Sequence, residues 1–230
     1  MGKTDWRYGI VVCLLLTSGC LCKHFGAKVS VERHWTFDAD KVGAVPRAWR
    51  IASSNPEAKT ASWRVMEDSS APSGARVLAL TESENHDATY NLALARGTSF
   101  RDFELTVRVK AVEGEEDQGG GPVWRYQDAD HYYLTRINPL EQNFRVYVVH
   151  QGKRRHLDHA DVALEAGRWY EIKIRMVGSR IECSLDGQPL LEASDETIPD
   201  SGMVGLWTKA DAVTSFDDLR VRPMTQAPKE

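Results

Sequence analysis

Apolar and polar residues alternate along most of the chain with a period of two. The alternation is clearest in FELTVRVKAV, whose apolar positions are Phe103, Leu105, Val107, Val109 and Ala111. It recurs in WYEIKIRMV, at Tyr170, Ile172, Ile174 and Met176. A period of two is typical of an antiparallel strand with one buried face, whereas a helix repeats every 3.6 residues. The pattern predicts a chain built from strands between about residues 34 and 223.

Turn signals separate these strands at short intervals. Asp186 and Gly187 lie between two alternating segments, and an Asp-Gly pair in that position predicts a tight hairpin. Further strands are predicted at residues 35–37, 63–66, 77–80, 90–94, 123–126, 132–137, 144–149, 202–208 and 217–222. About a dozen short strands joined by turns indicate an all-β fold, an antiparallel two-sheet sandwich.

Five segments of the chain carry a family resemblance. They are WTFDAD, GTSFRDFELTVRVK, GGGPVWRYQDADHYYLTRINP, GRWYEIKIRMVGSRIECSLDGQPLLE and GMVGLWTKADAVTSFDDLRV. Together they resemble the concanavalin A-like jelly-roll superfamily and, more narrowly, laminin G-like domains and the bacterial family named after 3-keto-disaccharide hydrolases. The resemblance implies a jelly-roll sandwich and a glycan-facing role outside the cytoplasm. It does not choose among lectins, hydrolases and structural domains, because all of these share the fold.

The first 22 residues have the layout of an export signal. A short segment with Lys3 and Arg7 precedes an apolar run at residues 10–16, which is followed by small residues. The segment LLTSGC resembles the lipobox of bacterial lipoproteins, which implies cleavage before Cys20 and its lipidation; plain secretion is the alternative. The expected organisation is a signal at 1–22, a linker at 23–33, the sandwich at 34–223 and a tail at 224–230. Such a lipid would be the only contact with a membrane.

Composition narrows the classes of partner. The 29 Lys and Arg against 33 Asp and Glu give a formal net charge of −4, with both signs scattered along the chain. No basic face is expected, so nucleic acid is not a predicted partner. No apolar run approaches the roughly 20 residues of a membrane-spanning helix. The residues expected in the core include Cys183, Trp49, Trp63, Trp169 and Trp207.

The segment YYLTRINPLEQNFRVYVV predicts a hairpin in which two arginines meet. If residues 132–137 pair with residues 144–149, Ile137 faces Phe144 and Arg136 faces Arg145. The side that carries the arginines also carries Tyr132, Leu134 and Tyr147. Like charges facing each other across a strand pair are destabilising, so a compensating group is expected.

Two interpretations of this face are open. Glu141 or the acids at 115–117 neutralise the arginines in an ordinary surface network. Alternatively, the face binds a glycan, because guanidinium groups donate paired hydrogen bonds and tyrosine rings stack on sugars. Arg125 joins the face if Trp124 points inward, and Lys209 and Asp211 follow a strand beside it. The candidate ligand-binding residues are Arg125, Tyr132, Arg136, Glu141, Arg145, Tyr147, Lys209 and Asp211.

Motifs for catalysis and metal binding are weak. The paired carboxylates of family 16 glucanases are absent, and the acidic run at 113–117 is expected to be a solvated loop. His156 and His159 would point to opposite faces of a strand, so a solvated loop is expected there as well. No cofactor is predicted. The jelly-roll resemblance implies at most one structural calcium, near Asp38 and Asp218.

The function predicted from these features is glycan binding by an exported, lectin-like module. One alternative is hydrolysis of 3-keto-disaccharides or related sugars, as the name of the resembled family implies. The other is a structural or protein-interaction domain. A catalytic acid and base placed close together would distinguish the hydrolase from the lectin, and no such pair is evident in the sequence.

Overall fold

The computed structural model describes residues 31–55 and 57–224. Within these ranges the chain forms strands and no helix, so no helical segment there could cross a bilayer. The strands are β1 (Arg33–Trp35), β2 (Trp49–Ser53), β3 (Ser62–Glu67), β4 (Arg76–Glu82), β5 (Tyr90–Ala95), β6 (Phe103–Glu113), β7 (Gly121–Asp128), β8 (His131–Asn138), β9 (Asn143–His150), β10 (Lys153–Asp161), β11 (Trp169–Val177), β12 (Arg180–Leu185), β13 (Gln188–Ser194), β14 (Met203–Lys209) and β15 (Val213–Pro223).

The strands form two antiparallel sheets. The first has the order β13-β12-β11-β6-β15-β4-β3, with β1 paired to β15. The second has the order β10-β9-β8-β7-β14-β5-β2. This arrangement confirms the predicted all-β two-sheet sandwich. The predicted export signal and Cys20 lie outside the described residues, so export and lipidation stay predictions.

Apolar side chains from both sheets fill the space between them. The inward-facing positions of β6 and β11 follow the predicted alternation, with every second residue buried. Trp63 stacks on Phe216 at 5.8 Å between ring centroids, and Trp124 stacks on Tyr133 at 6.0 Å. Cys183 is buried in this core, and burial raises the pKa of its thiol. The thiol is therefore a packing group, as predicted.

The hairpin between β12 and β13 confirms the predicted tight turn. Asp186 and Gly187 form its two-residue loop, and both have positive φ, 47° and 79°. Two consecutive positive φ values are the requirement of a type I′ turn, whose twist matches that of the strands.

The outer face of the first sheet is a layer of mutually neutralising charges. Glu104 contacts both Lys173 and Arg222 at 2.9 Å, and Arg108 contacts Glu171 at 2.9 Å. Trp169 lies on this outer face beneath Lys110, whose Nζ is 4.9 Å from the centroid of the indole ring. The prediction of a core Trp169 is wrong, because Tyr170 takes the inward position next to it.

One carboxylate fixes the loop between β6 and β7. Asp211 accepts the backbone N–H groups of Glu115 at 2.7 Å, Glu116 at 3.1 Å and Asp117 at 3.0 Å. Burial alone would raise the pKa of Asp211, but these N–H groups lower it below its ordinary value. Asp117 is only 2% exposed, so the prediction of a solvated loop is wrong for this residue.

Replacing Asp211 with Ala should lower the free energy of unfolding by about 2 kcal/mol, because hydrogen bonds to a charged group contribute roughly 1.5–3 kcal/mol. Urea denaturation measures the change. A lowered pKa means that the contribution is present above the ordinary carboxyl pKa and is lost as the pH falls. The difference between the two proteins should therefore shrink below about pH 4. Glu115→Ala is the control, because that side chain is exposed; an equal loss in both variants would contradict the assignment.

Candidate functional site

The second sheet curls so strongly that a side chain of its edge strand β10 contacts rings on strands across the sheet. Four strands separate β10 from β5 in the sheet order, so a flat sheet would hold them about 24 Å apart. Nevertheless, Cζ of Arg154 in β10 lies 5.2 Å from the ring centroid of Tyr90 in β5. A single side chain does not span the flat-sheet distance. The outer side of this sheet is therefore a concave face.

A second apolar cluster covers this concave face, separate from the core between the sheets. Its buried members are Tyr90, Leu92, Leu94, Val123, Tyr126, Tyr132, Leu134, Tyr147, Val149 and Trp207. Trp207 is fully buried, as predicted for a core aromatic, but it belongs to this second cluster and not to the core between the sheets, because Val204 and Leu206 take the inward positions of β14. Trp49 and Trp63 do lie in the core, as predicted.

Arg154 occupies the centre of this cluster. Its Cζ lies 4.5 Å from the ring centroid of Tyr147, 5.2 Å from that of Tyr90 and 5.9 Å from that of Trp207. A guanidinium group over aromatic faces is attracted by the ring quadrupoles. Its Nη1 atom is buried and has no hydrogen-bond partner among the described residues. The ring contacts hold the group in place while leaving this donor unused.

Two further polar groups of the concave face are also without a partner. The hydroxyl of Tyr132 and the Nε1–H of Trp207 are buried and make no hydrogen bond within the described part of the chain. Burial raises the pKa of Tyr132. The nearby indole N–H of Trp207 opposes that rise, although the two groups do not have the geometry of a hydrogen bond. The phenol therefore stays protonated and keeps both its donor and its acceptor capacity.

The predicted meeting of two arginines is confirmed. Arg136 is the register partner of Arg145 across β8 and β9, and Ile137 is the partner of Phe144. Glu141 bridges the two charges, with Oε2 at 2.9 Å from Arg136 and 3.1 Å from Arg145. Burial alone would raise the pKa of Glu141, but Asn143 and the two arginines lower it. The expected compensating group is therefore Glu141, whose single negative charge faces two arginines, and glycan binding by this face stays a prediction.

Tyr147 links the arginine pair to Arg154. Its hydroxyl accepts from Nη2 of Arg136 and from Nη1 of Arg145, each at 3.5 Å, while Arg154 lies over its ring. Of the predicted ligand-binding residues, Tyr132, Arg136, Arg145 and Tyr147 therefore share the concave face, with Glu141 at their end of the β8–β9 hairpin.

Arg125 does not join this face. It has a positive φ of 45° at an irregularity in the β7–β8 pairing, which turns its side chain away. Its guanidinium donates to the carbonyl oxygens of Arg101, Gly178 and Ile198 at 2.8–3.0 Å and is 1% exposed. The prediction that Trp124 points inward is correct. The inference that Arg125 therefore points outward is wrong.

Lys209 and Asp211 serve the β6–β7 loop. Lys209 contacts Oδ2 of Asp117 at 3.1 Å, and Asp211 holds the backbone of the same loop. Asp117 also accepts from Asn138 at 3.2 Å. Burial raises the pKa of Asp117, opposed by Arg136 and Lys209. Both predicted contact residues are thus engaged within the protein.

His156 and His159 share a face, contrary to prediction. They belong to β10, and the register shifts between His156 and Asp158, which takes Leu157 out of the alternation. The two rings lie 5.3 Å apart, and His156 lies 5.4 Å from the ring of Tyr147. Burial lowers the pKa of His156, and His159 and Arg145 add to the effect. The predicted solvated loop is a strand that adds two imidazoles to the rim of the concave face.

The two carboxylates considered for calcium are each engaged separately. Asp38 accepts backbone N–H groups of Ala75 and Arg76 at 2.9 and 3.2 Å, and Asp218 contacts His34. Among the described residues no three His, Cys, Asp or Glu side chains form a metal-binding group. A calcium ion at Asp38 and Asp218 stays a prediction.

Arg154 and β10 were missed at the sequence level. The segment KRRHLDHAD is so rich in charge that it has no apolar alternation. A turn signal was nevertheless present, because Gln151 and Gly152 have φ values of 52° and 71°, the two-residue hairpin geometry. A polar residue followed by glycine, between two extended segments, could have identified the β9–β10 hairpin.

A cavity of about 580 Å³ adjoins the concave cluster at Tyr90. Its lining comes from the loops after β2 and before β5, with Gly152 from the β9–β10 turn. Asn85, Thr89 and Glu84 are among its polar groups. Its volume is within the range usual for small-ligand sites.

Comparison with known proteins identifies a matching family model and solved structures with a similar fold. A model of the 3-keto-alpha-glucoside-1,2-lyase-like domain matches residues 37–222, which confirms the predicted resemblance. A search of the curated proteins found no match. Carbohydrate-binding module CBM66 from Bacillus subtilis aligns with a TM-score of 0.61 at 17% identity, covering 76% of this chain and 95% of the module.

Two other solved structures have the same sandwich. The β-glucanase of Bacillus licheniformis has a TM-score of 0.60 at 12% identity, covering 86% of this chain and 100% of that one. Domain 4 of an extracellular arabinanase from Geobacillus stearothermophilus, in complex with arabinotriose, has a TM-score of 0.56 at 9% identity, covering 85% and 93%. At these identities the likeness concerns the fold.

Glu141→Gln should lower the free energy of unfolding by about 1 kcal/mol, because it leaves Arg136 facing Arg145 without a counter-ion. Urea denaturation of the single and double variants tests this. Arg145→Ala should destabilise the parent protein slightly but stabilise the Glu141→Gln variant. Because the pKa of Glu141 is lowered, its contribution is lost as the pH falls through the carboxyl range.

The matched control is Glu192→Gln, since Glu192 pairs with Arg180 at 3.0 Å on the exposed first sheet. That change should leave stability within about 0.5 kcal/mol. An Arg145→Ala effect of the same sign in both backgrounds would show that Glu141 is not the compensating group.

Proposed function

The chain belongs to the family of 3-keto-alpha-glucoside-1,2-lyase-like domains, and we propose that it binds a carbohydrate on the concave face of its second sheet. The observation that carries the proposal is the set of unpartnered polar groups there, from Tyr132, Arg154 and Trp207. A buried polar group without a partner costs roughly 1–3 kcal/mol. Tyr132 and Trp207 are fully buried and Arg154 is partly exposed, so we expect the Arg154 side chain to move aside when a polyhydroxylated ligand supplies donors and acceptors for all three.

The surroundings of these groups support a sugar. The cavity beside Tyr90 provides a volume suited to a small oligosaccharide. Solved relatives of the same fold include a carbohydrate-binding module and a domain in complex with arabinotriose. The outer face of the first sheet, by contrast, carries charges that neutralise one another. We also propose that the protein acts after export, with Cys20 as the attachment point of a lipid.

Tyr132→Phe and Trp207→Phe should each weaken sugar binding about 3- to 10-fold, the effect of one neutral hydrogen bond. A glycan array identifies the ligand, and isothermal titration calorimetry then compares the variants. Tyr132→Phe should at the same time leave the melting temperature unchanged or raise it, because it removes an unpartnered buried hydroxyl.

Trp63→Phe is the control for these variants. Its Nε1 is also buried without a partner among the described residues, but it lies in the core between the sheets. Affinity should be unchanged in this variant once the folded fraction is taken into account. An unchanged affinity in both concave-face variants would reject the concave face as the binding site.

A second candidate function is cleavage of a 3-keto-glucoside, favoured by His156. A ketone at C3 acidifies the C2 proton, so a base that removes this proton allows the C1–O bond to break. The electrons of the C2–H bond form the C1–C2 double bond, and the leaving oxygen takes up a proton. The lowered pKa of His156 keeps it neutral near pH 7, as a general base requires.

His156→Ala should lower the rate of cleavage of a 3-keto-glucoside about 100-fold or more, the usual contribution of general base catalysis. The parent rate should rise with pH and level off above a pKa lower than 6.5, because only the neutral imidazole accepts the proton. His34→Ala is the control, since His34 contacts Asp218 in the other sheet. A parent protein that binds sugars without cleaving the 3-keto-glucoside would exclude this function and leave binding in place.

A further inference from the structure

The aromatic rings of the concave face do not offer free faces for stacking. Arg154 lies over the rings of Tyr90, Tyr147 and Trp207. Arg50 lies over the ring of Tyr126, with Cζ at 5.3 Å from its centroid. Sugars are commonly bound by stacking their apolar sides on open aromatic faces. On this face the guanidinium groups cover the rings, so a ligand would contact the guanidinium groups and not the ring faces.

Positive charge is in excess at this point. Three arginines meet at Tyr147: Arg136 and Arg145 through its hydroxyl, and Arg154 over its ring. Glu141 is the acid in contact with two of them. Asp161 acts on Arg145 only at longer range, and so does Asp117 on Arg136, while Asp117 is itself paired with Lys209. No ion pair among the described residues includes Arg154. The three arginines therefore outnumber the one acid in contact with them.

Several donors in this group are unused. Nη1 of Arg154 and the Nε atoms of Arg136 and Arg145 are buried without hydrogen-bond partners in the described chain. Arg136 itself is 1% exposed. A planar carboxylate is the group that best matches a guanidinium fork, because it accepts two parallel hydrogen bonds and neutralises the charge.

We propose that the carbohydrate bound on the concave face carries a carboxylate, as in a uronic acid, and that Arg154 receives it at the centre of the aromatic cluster. The proposal rests on the proposed function and specifies its ligand class. The net charge of the whole chain is −4, so attraction of an acidic sugar cannot be a general effect of the protein surface. It has to come from this local group of arginines.

The experiment compares matched acidic and neutral oligosaccharides with the full-length protein. Isothermal titration calorimetry compares the affinity for trigalacturonate with that for α-1,4-linked galactotriose, and the affinity for cellobiouronate with that for cellobiose. At least one acidic member should bind about 10- to 100-fold more tightly than its neutral counterpart, as expected for a charge-assisted hydrogen bond. The preference should shrink as salt is raised from 50 to 500 mM, because salt screens the attraction.

Arg154→Met is the diagnostic variant, since it keeps an unbranched side chain over the rings and removes the charge. It should abolish the preference for the acidic member. Arg155→Met is the matched control: this neighbour on the same strand has the same charge but contacts Asp195 at 2.6 Å on the other side of the sheet. The preference should persist in this control. Thermal denaturation establishes that both variants are folded.

The proton resonances of His156 provide a second readout. This imidazole faces Tyr147 and Arg145 on β9 and His159 and Asp158 on β10. A bound carboxylate would offset the positive neighbours, so the acidic sugar should raise the pKa of His156 in a nuclear magnetic resonance titration. The neutral sugar should leave that pKa unchanged.

The outcomes separate the two proposals. Equal binding of the acidic and neutral members, or tighter binding of the neutral ones, overturns the carboxylate proposal and leaves carbohydrate binding intact. A loss of preference in Arg155→Met equal to that in Arg154→Met also overturns it, because the effect would then follow total charge. Failure of every sugar on the array and in both pairs to bind rejects the proposed function itself, and the carboxylate proposal with it.

Discussion

The second sheet has to bury both of its faces, and the contact of Arg154 with three aromatic rings is how the outer one is closed. All six residues of β5 are buried, as are seven of the eight in β8, so the central strands have no solvent-facing side. An ordinary antiparallel sheet alternates apolar and polar faces. Here the sheet curls until the Arg154 side chain of the edge strand β10 reaches rings on strands across the sheet, and the attraction between its guanidinium group and the ring faces takes the place of an apolar contact. The curl brings Tyr90, Tyr147 and Trp207 to one point, although they belong to different strands.

Closing a face with an arginine has a consequence that an apolar residue would not have. The guanidinium group contacts the rings, but its buried Nη1 has no hydrogen-bond partner among the described residues, and the polar atoms of Tyr132 and Trp207 are also buried without one. Apolar residues of similar size would remove these unsatisfied groups and stabilise the fold. The arrangement is therefore poor for stability alone, which fits the ligand site proposed above. The Arg136 and Arg145 pair differs from Arg154, because Glu141 contacts both members of the pair.

Predictions based on the period of two were correct where two strands pair without interruption and wrong next to a β-bulge. It placed Ile137 opposite Phe144 and Arg136 opposite Arg145, because β8 and β9 pair without interruption. It failed at Arg125 and for the pair His156 and His159, since each lies at a shift in the pairing register. A bulge adds one residue to a strand and reverses the side of every position beyond it, yet it has no apolar signature of its own. The burial of Asp117 was unpredictable for another reason, because it depends on Asp211, a residue distant in sequence.

These two bulges sort the charged residues of the second sheet into different roles. The irregularity in β7 turns Arg125 toward three carbonyl oxygens, where its donors are used and the residue fixes the ends of neighbouring loops. The bulge in β10 has the opposite effect. Arg154 and His156 share the concave face by ordinary alternation, and the extra residue Leu157 brings His159 to the same face. Strand alternation alone would have placed His159 on the other side of the sheet. Local departures from regular strand geometry thus decide which titratable groups join Arg154 on the concave face.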